Sequence, residues 1–214
     1  VWDVEFEPLP EPAAAGVGLV GMDHVAQTMN YEEMLTWILF YTAIFRTEKS
    51  PMVDVVDPGG LVRSQVIESE DGALRLTLNG AENRKTLAGH FIAESFGSSI
   101  QHLAFRTRDM RATAAALRGL GFKPLEISPN YYDDLEARFG LEPSLLDTLR
   151  DFNILYDRDE AGEYFQLYST NYGEGFFFEI VERRGGYAGY GAANAPFRIA
   201  AQKRAIRPKG MPRS

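Results

Sequence analysis

The 214-residue chain contains no cysteine. That removes disulfides, thiolate nucleophiles and thiolate-bound zinc, and it is the usage expected of a cytoplasmic protein. Histidine is almost as scarce, with only His24, His90 and His102. Long apolar runs are missing too: the longest, "MLTWILFYTAIF" (34–45), falls short of the roughly 20 residues that span a bilayer. Basic residues are outnumbered, 22 against 30 acidic, for a net charge of −8. This argues against nucleic acid or an anionic membrane as partner, since both require clustered Lys and Arg. The opening "VWDVEFEPLPEPAAAG" is acidic and proline-rich and begins with Val. It lacks the basic start and apolar core of a secretory signal, and 1–17 reads as an extended linker from a missing N-terminal region.

What the chain does have is a repeat. "GMDHVAQT" (21–28) returns as "SIQHLAFRT" (99–107), each with His-x-Ala in a short apolar run. After the first comes a helical pattern, "YEEMLTWILFYTAIF", with acidic residues in its first turn, where the helix dipole favours them. Three strand-like runs follow, "PMVDVVD", "GLVRSQVIES" and "ALRLTLNG", divided by the turn signals "DPGG" and "EDG". After the second come a helix, "TRDMRATAAALRGLGF", an insertion that reads as one or two short helices, and the strands "NILYDRD", "GEYFQLYST" and "GFFFEIVER". The organisation is therefore a first βαβββ module (18–82), a linker helix (83–98), a second βαβββ module (99–185), and a closing segment with a basic tail (186–214). A single α+β domain with coincidental repetition is the alternative.

Strand residues alternate faces. In "LRLTLN", Leu74, Leu76 and Leu78 point one way while Arg75, Thr77 and Asn79 point the other. Tyr164, Gln166 and Tyr168 share a face, and Glu179 lies between Phe177 and Val181. The face with both histidines and the glutamate is then the one lined by Asn, Gln and Tyr, the interior of a cupped sheet with helices outside. A carboxylate in "GFFFEIV" is costly to bury unless a cation or metal compensates it. Two imidazoles and one carboxylate form the facial set of non-haem iron sites, with positions left open for substrate. His24 and His102 lie 78 residues apart, and His102 and Glu179 lie 77 apart. The fourth position of the symmetric set, on the last strand of the first module, falls at Asn79. A hydrogen-bonded core role for each histidine is the competing reading, and His90, without a repeat partner, reads as structural or surface.

The motifs "DHVAQ", "IQHLAF", "NYYDDLEARFG", "LDTLRDFNILYDRDEAGEYFQLYST" and "FFFEIVERRGGYAGYGAAN" resemble the C-terminal half of 4-hydroxyphenylpyruvate dioxygenase, of the vicinal oxygen chelate superfamily, from Gly18 to Gln202. The resemblance implies an α+β fold of two βαβββ modules forming a cupped, open β-barrel with helices outside. It implies a divalent cation at His24, His102 and Glu179, with Fe²⁺ foremost and Mg²⁺, Mn²⁺ or Co²⁺ also suited. A substrate site would include Ser64, Asn79, Gln101, Gln166, Tyr168 and Tyr190, though alternation puts Gln101 on the face opposite His102. Departures from the family pattern are Leu87 for a glutamine, Ala195 for a closing phenylalanine and Tyr168 for a stacking phenylalanine, which point to a ligand other than 4-hydroxyphenylpyruvate. "VVDPGGLVRSQVIES", "LRLTLNG" and "ERRGGYAGYGAANAP" look more like bacterial 3-dehydroshikimate dehydratases, in which an isomerase-like barrel precedes such a region.

That subgroup implies a metal-binding region of a larger enzyme that forms protocatechuate in quinate and shikimate catabolism, with dehydration in the missing barrel. The alternatives are an authentic Fe(II)-dependent dioxygenase and a non-catalytic ligand-binding or assembly domain. The expected partners are a small aromatic or cyclic carboxylate or 2-oxo acid and a covalently linked N-terminal domain. A homo-oligomer is compatible with the sequence.

Overall fold

The computed structural model describes residues 2–7 and 16–206. Most of the linker read at 1–17 and the end of the basic tail lie outside the described residues. After a one-turn helix α1 (Trp2–Glu5), the first half runs β1 (Leu19–Asn30), α2 (Tyr31–Ile44), β2 (Thr47–Lys49), β3 (Val53–Asp57), β4 (Gly60–Ser69) and β5 (Arg75–Ala81). Helix α3 (Leu87–Glu94) leads to the second half: β6 (Ser99–Thr107), α4 (Met110–Gly119), α5 (Pro129–Phe139), α6 (Pro143–Phe152), β7 (Leu155–Arg158), β8 (Gly162–Tyr168) and β9 (Phe177–Gly185). A 3₁₀ turn (Ala192–Asn194) and α7 (Ala195–Ile206) close the described chain.

Helix boundaries follow local chemistry. Thr86 and Asp109 each accept a 2.9 Å hydrogen bond from the backbone N–H three residues on, capping α3 and α4. Pro129 and Pro143 open α5 and α6, where a missing N–H costs nothing. Gly140 and Asn153 end them in the left-handed conformation.

The strands form one curled, open sheet in the order β2-β4-β5-β1-β6-β9-β8-β7, with β3 on the same edge of β4 as β2. β1 pairs with β5 in parallel, and so does β6 with β9; β1 and β6 meet antiparallel at the seam. The two halves thus repeat one topology, and the expected architecture of two βαβββ modules is the one observed. β2 is an addition: three residues, too short to leave an alternation pattern, paired to the far end of β4.

Helices α2, α4, α5 and α6 cover the convex side, while α3 and α7 line the cleft. Leu76 and Leu78 pack with Met34 and Ile38 of α2, while α4, α5 and α6 bury Met110, Leu135 and Leu149 in a larger second core. Helix α2 is apolar all round, with Leu35, Leu39, Phe40 and Ile44 exposed on its outer face.

Gly162 allows a close backbone crossing at the start of β8. A Cβ there would lie 2.0 Å from the Arg184 carbonyl and 2.8 Å from the Tyr187 nitrogen. Gly162→Ala should lower the urea midpoint by an amount equivalent to about 1–3 kcal/mol. Gly16→Ala, with nothing within 4 Å of the added carbon, should move it by no more than about 0.5 kcal/mol.

Candidate metal centre

His24 comes from β1, His102 from β6 and Glu179 from β9, so the three converge across the seam. All are at least nine-tenths buried. Glu179 Oε2 lies 3.3 Å from His24 Nε2 and 3.4 Å from His102 Nε2, and one ligand atom from each residue falls within 4.8 Å of the others. The imidazoles meet edge-on, 5.5 Å between centroids.

Outer contacts free the inward atoms. Asp23 Oδ1 takes His24 Nδ1 at 2.9 Å, leaving Nε2 to the centre. Gln166 Nε2 donates to Glu179 Oε1 at 2.9 Å, leaving Oε2. His102 is held by stacking on Phe177 at 4.6 Å, while its buried Nδ1 has no hydrogen-bond partner among the described residues. Two imidazole nitrogens and one carboxylate oxygen, each steered by a neighbour, fit a divalent cation.

The electrostatics are lopsided. Burial opposes charge on every member, yet the two imidazoles hold Glu179 well below the usual carboxylate range. Burial likewise works against the His24 imidazolium, but Asp23 and Glu179 outweigh it and raise the pKa. For His102 burial wins and pushes the imidazole down to about 4.

Asp23 is the residue the sequence reading passed over. It is buried and receives two 3.0 Å hydrogen bonds from Arg183, with Arg75 3.7 Å away. Arg183 in turn lies over Tyr164 and Tyr190, at 4.6 and 4.9 Å from the ring centroids. The signal was available: Asp23 is a second acid in an apolar strand, and alternation puts Arg183 on the face of Glu179.

Bulges place both residues that precede the histidines. In the β1–β6 ladder, Met22 faces Phe105 and His24 faces Ala104, so Asp23 is the extra residue. Further along, Ala26 faces His102 and Gln27 faces Ile100, so Gln101 is the extra residue on the other strand. A bulge re-aims a side chain that alternation would send elsewhere. It is why Gln101, assigned by alternation to the opposite face, lines the cleft with His102 and accepts a bond from Thr28.

The cleft has a volume of about 920 Å³ and contains His24, His102 and Glu179 together with Ser64, Asn79, Gln101, Tyr168 and Tyr190. Leu87 and Ala195 line it too. Gln166 does not. It is 1% exposed behind Glu179, and its carbonyl accepts from Asn194 at 2.8 Å while the Gly191 backbone lies directly over it. His90 is exposed on α3, away from the cleft.

The register also corrects the fourth symmetric position. Glu179 pairs with Ala104, two residues past His102, and the residue paired with Ala26, two past His24, is Thr77 rather than Asn79. Placement on the last strand of the first half does not by itself fix the register, which sets Thr77 opposite Ala26. Thr77 lines the cleft, and its buried hydroxyl lacks a hydrogen-bond partner among the described residues.

At the end of β3, Asp57 accepts bonds from the Gly59 and Leu87 amides and from Lys203, tying α3 and α7 to the cleft rim. Burial would raise its pKa, but these three donors lower it. The unfolded carboxylate, near 3.9, therefore takes up its proton first as pH falls. The stability Asp57 contributes is present above that range and is lost as pH drops through the folded-state value. Asp57→Asn should accordingly flatten the acid limb of a plot of melting temperature against pH, measured by circular dichroism.

The curled sheet, with the His24–His102–Glu179 cluster inside it, is similar to a 4-hydroxyphenylpyruvate dioxygenase-like region. The chain is 42% identical to 3-dehydroshikimate dehydratase of Pseudomonas putida over 96% of its own length and 32% of that protein. It is 28% identical to 4-hydroxyphenylpyruvate dioxygenase of Pseudomonas aeruginosa over 91% of its length and 55% of that protein. Among solved structures it superposes on a xylose isomerase-like TIM barrel/4-hydroxyphenylpyruvate dioxygenase fusion protein with a TM-score of 0.81 and 41% identity. That match covers 97% of this chain and 33% of the other. The chain thus spans about a third of the dehydratase and of the fusion protein. No protein-family model matches it. Among the described residues no helix is long and apolar enough to cross a membrane.

Proposed function

We propose that the chain is the metal-binding, 4-hydroxyphenylpyruvate dioxygenase-like region of a cytoplasmic 3-dehydroshikimate dehydratase, with dehydration carried by a covalently linked N-terminal barrel. Its proposed parts are a linker at 1–17, modules at 18–82 and 99–185, the joining helix at 83–98 and a closing segment at 186–214. In this reading His24, His102 and Glu179 hold a divalent cation, Fe²⁺ foremost. Ser64, Asn79, Gln101, Tyr168 and Tyr190 line the site of a small cyclic or aromatic carboxylate or 2-oxo acid. Gln166 acts from behind, orienting Glu179. When bound, the cation supplies Lewis acidity and, if it is iron, a route for electrons to O₂. The chain's own side chains orient the ligand and keep water from the buried donors.

The observation that carries this reading is the convergence of three buried donors, each with its other polar atom or ring held by a neighbour. A second reading, an Fe(II)-dependent aromatic dioxygenase, is favoured by the same donor set and the 28% identity to a 4-hydroxyphenylpyruvate dioxygenase. Leu87 and Ala195 favour the first. An anaerobic Fe(II) titration, followed by 4-hydroxyphenylpyruvate and O₂, separates them. Stoichiometric iron uptake without oxygen consumption supports the first reading. Oxygen consumption coupled to CO₂ release establishes the second, and absence of metal uptake removes both.

A further inference from the structure

Arg198 lies on α7, one turn beyond Ala195, and both line the cleft. Its guanidinium carbon is 5.3 Å from the Phe177 ring and 5.7 Å from the Tyr168 ring. Phe177 stacks on His102, and Tyr168 is paired across strands with Glu179. The cation therefore flanks the donor cluster at one aromatic remove. Among the described residues Arg198 forms no ion pair. Its one hydrogen bond goes to Gln202 Oε1 at 2.7 Å, and Gln202 is buried and anchored in turn on Asn171. One of the five N–H groups is thereby fixed and the fork is oriented. The other cation lining the cleft, Lys49, is exposed.

A half-buried guanidinium against two aromatic rings, steered by a neutral amide and lacking a carboxylate, fits an anion supplied by the ligand, because a planar fork matches a carboxylate bidentately. We infer that Arg198 is the specificity-determining residue that receives the ring carboxylate of the ligand. The ligand class is a six-membered cyclic or aromatic monocarboxylate with two adjacent ring oxygens at the opposite end, facing His24, His102 and Glu179. The small Ala195 side chain leaves room beside the guanidinium for that ring. This deepens the metal-site reading and rests on it.

The test uses two probes that share a chelating end, catechol and 3,4-dihydroxybenzoate, titrated calorimetrically into the metal-loaded chain. The native chain should bind 3,4-dihydroxybenzoate about ten- to a hundredfold more tightly than catechol, the worth of a charge-assisted pair. Arg198→Gln should erase that preference and leave catechol affinity unchanged, which doubles as the check on folding. Arg198→Lys should fall between, keeping charge without the fork. Equal affinities in the native chain, no binding of either probe, or an equal loss for both probes in Arg198→Gln would overturn the inference while leaving metal uptake standing. Absence of metal uptake would overturn the reading beneath it and the inference together.

Discussion

Glu179→Gln is expected to abolish stoichiometric metal uptake while the fold survives. The substitution keeps the volume of the side chain and its contact with Gln166, but removes the anion that compensates two imidazoles and a divalent cation in a buried site. A neutral amide oxygen is a far poorer ligand for a hard cation. Losing one of three donors should exceed the roughly 10–100-fold penalty typical of an outer-shell partner. His102→Ala should behave alike. His90→Ala should titrate like the native chain, since His90 is exposed on α3. Dialysis against Fe(II) or Co(II) followed by elemental analysis reads all three, and equal loss in all of them would sink the assignment.

The second large effect is expected at Asp23, which stands behind His24 and is not one of the three donors. Its carboxylate fixes His24 Nδ1 and neutralises Arg183, each at about 3 Å. Asp23→Ala leaves a guanidinium enclosed by Tyr164 and Tyr190 without a counter-charge, and breaking such a pair costs about 3–5 kcal/mol. It also frees the His24 ring to turn, which should weaken metal affinity about 10–100-fold. Asp23→Asn separates the two roles: the amide oxygen can still accept from His24, so metal affinity should recover more than stability does. Chemical denaturation and metal titration on the same preparations would show the split. If Asp23→Ala changes neither quantity, the outer contact has no part in the site.

Much of this was legible in the residues. Turn signals such as "DPGG" and "EDG" divide β3, β4 and β5 cleanly, and the period-two leucines of β5 identify the helix-covered face. The three donors stood out because a lone acid in "GFFFEIV" has no cheap structural explanation. What escaped was whatever depends on register. Alternation fails at a bulge, so the orientation of Gln101 was misjudged and Asp23 was overlooked. The match of Asn79 to Glu179 rested on its place in the last strand of the first half, and that placement does not fix the register. Alternation puts Gln166 with Tyr164 and Tyr168 but says nothing of the Gly191 backbone that folds over it.

The seam between β1 and β6 has one more consequence. His24 faces Ala104 while Ala26 faces His102. Residue i meets the counterpart of j, and j meets the counterpart of i, which is the rule of an isologous dimer contact about a local dyad. Two identical chains meeting this way must present the same side chains on both sides of the axis. A single continuous chain is released from that obligation. Thr77 and Glu179 occupy the dyad-related places, a hydroxyl on one side and an acid on the other. Breaking the symmetry at that one pair lets the molecule direct a single carboxylate at both imidazoles, where a symmetric ancestor would have had to crowd two like charges into the same cup.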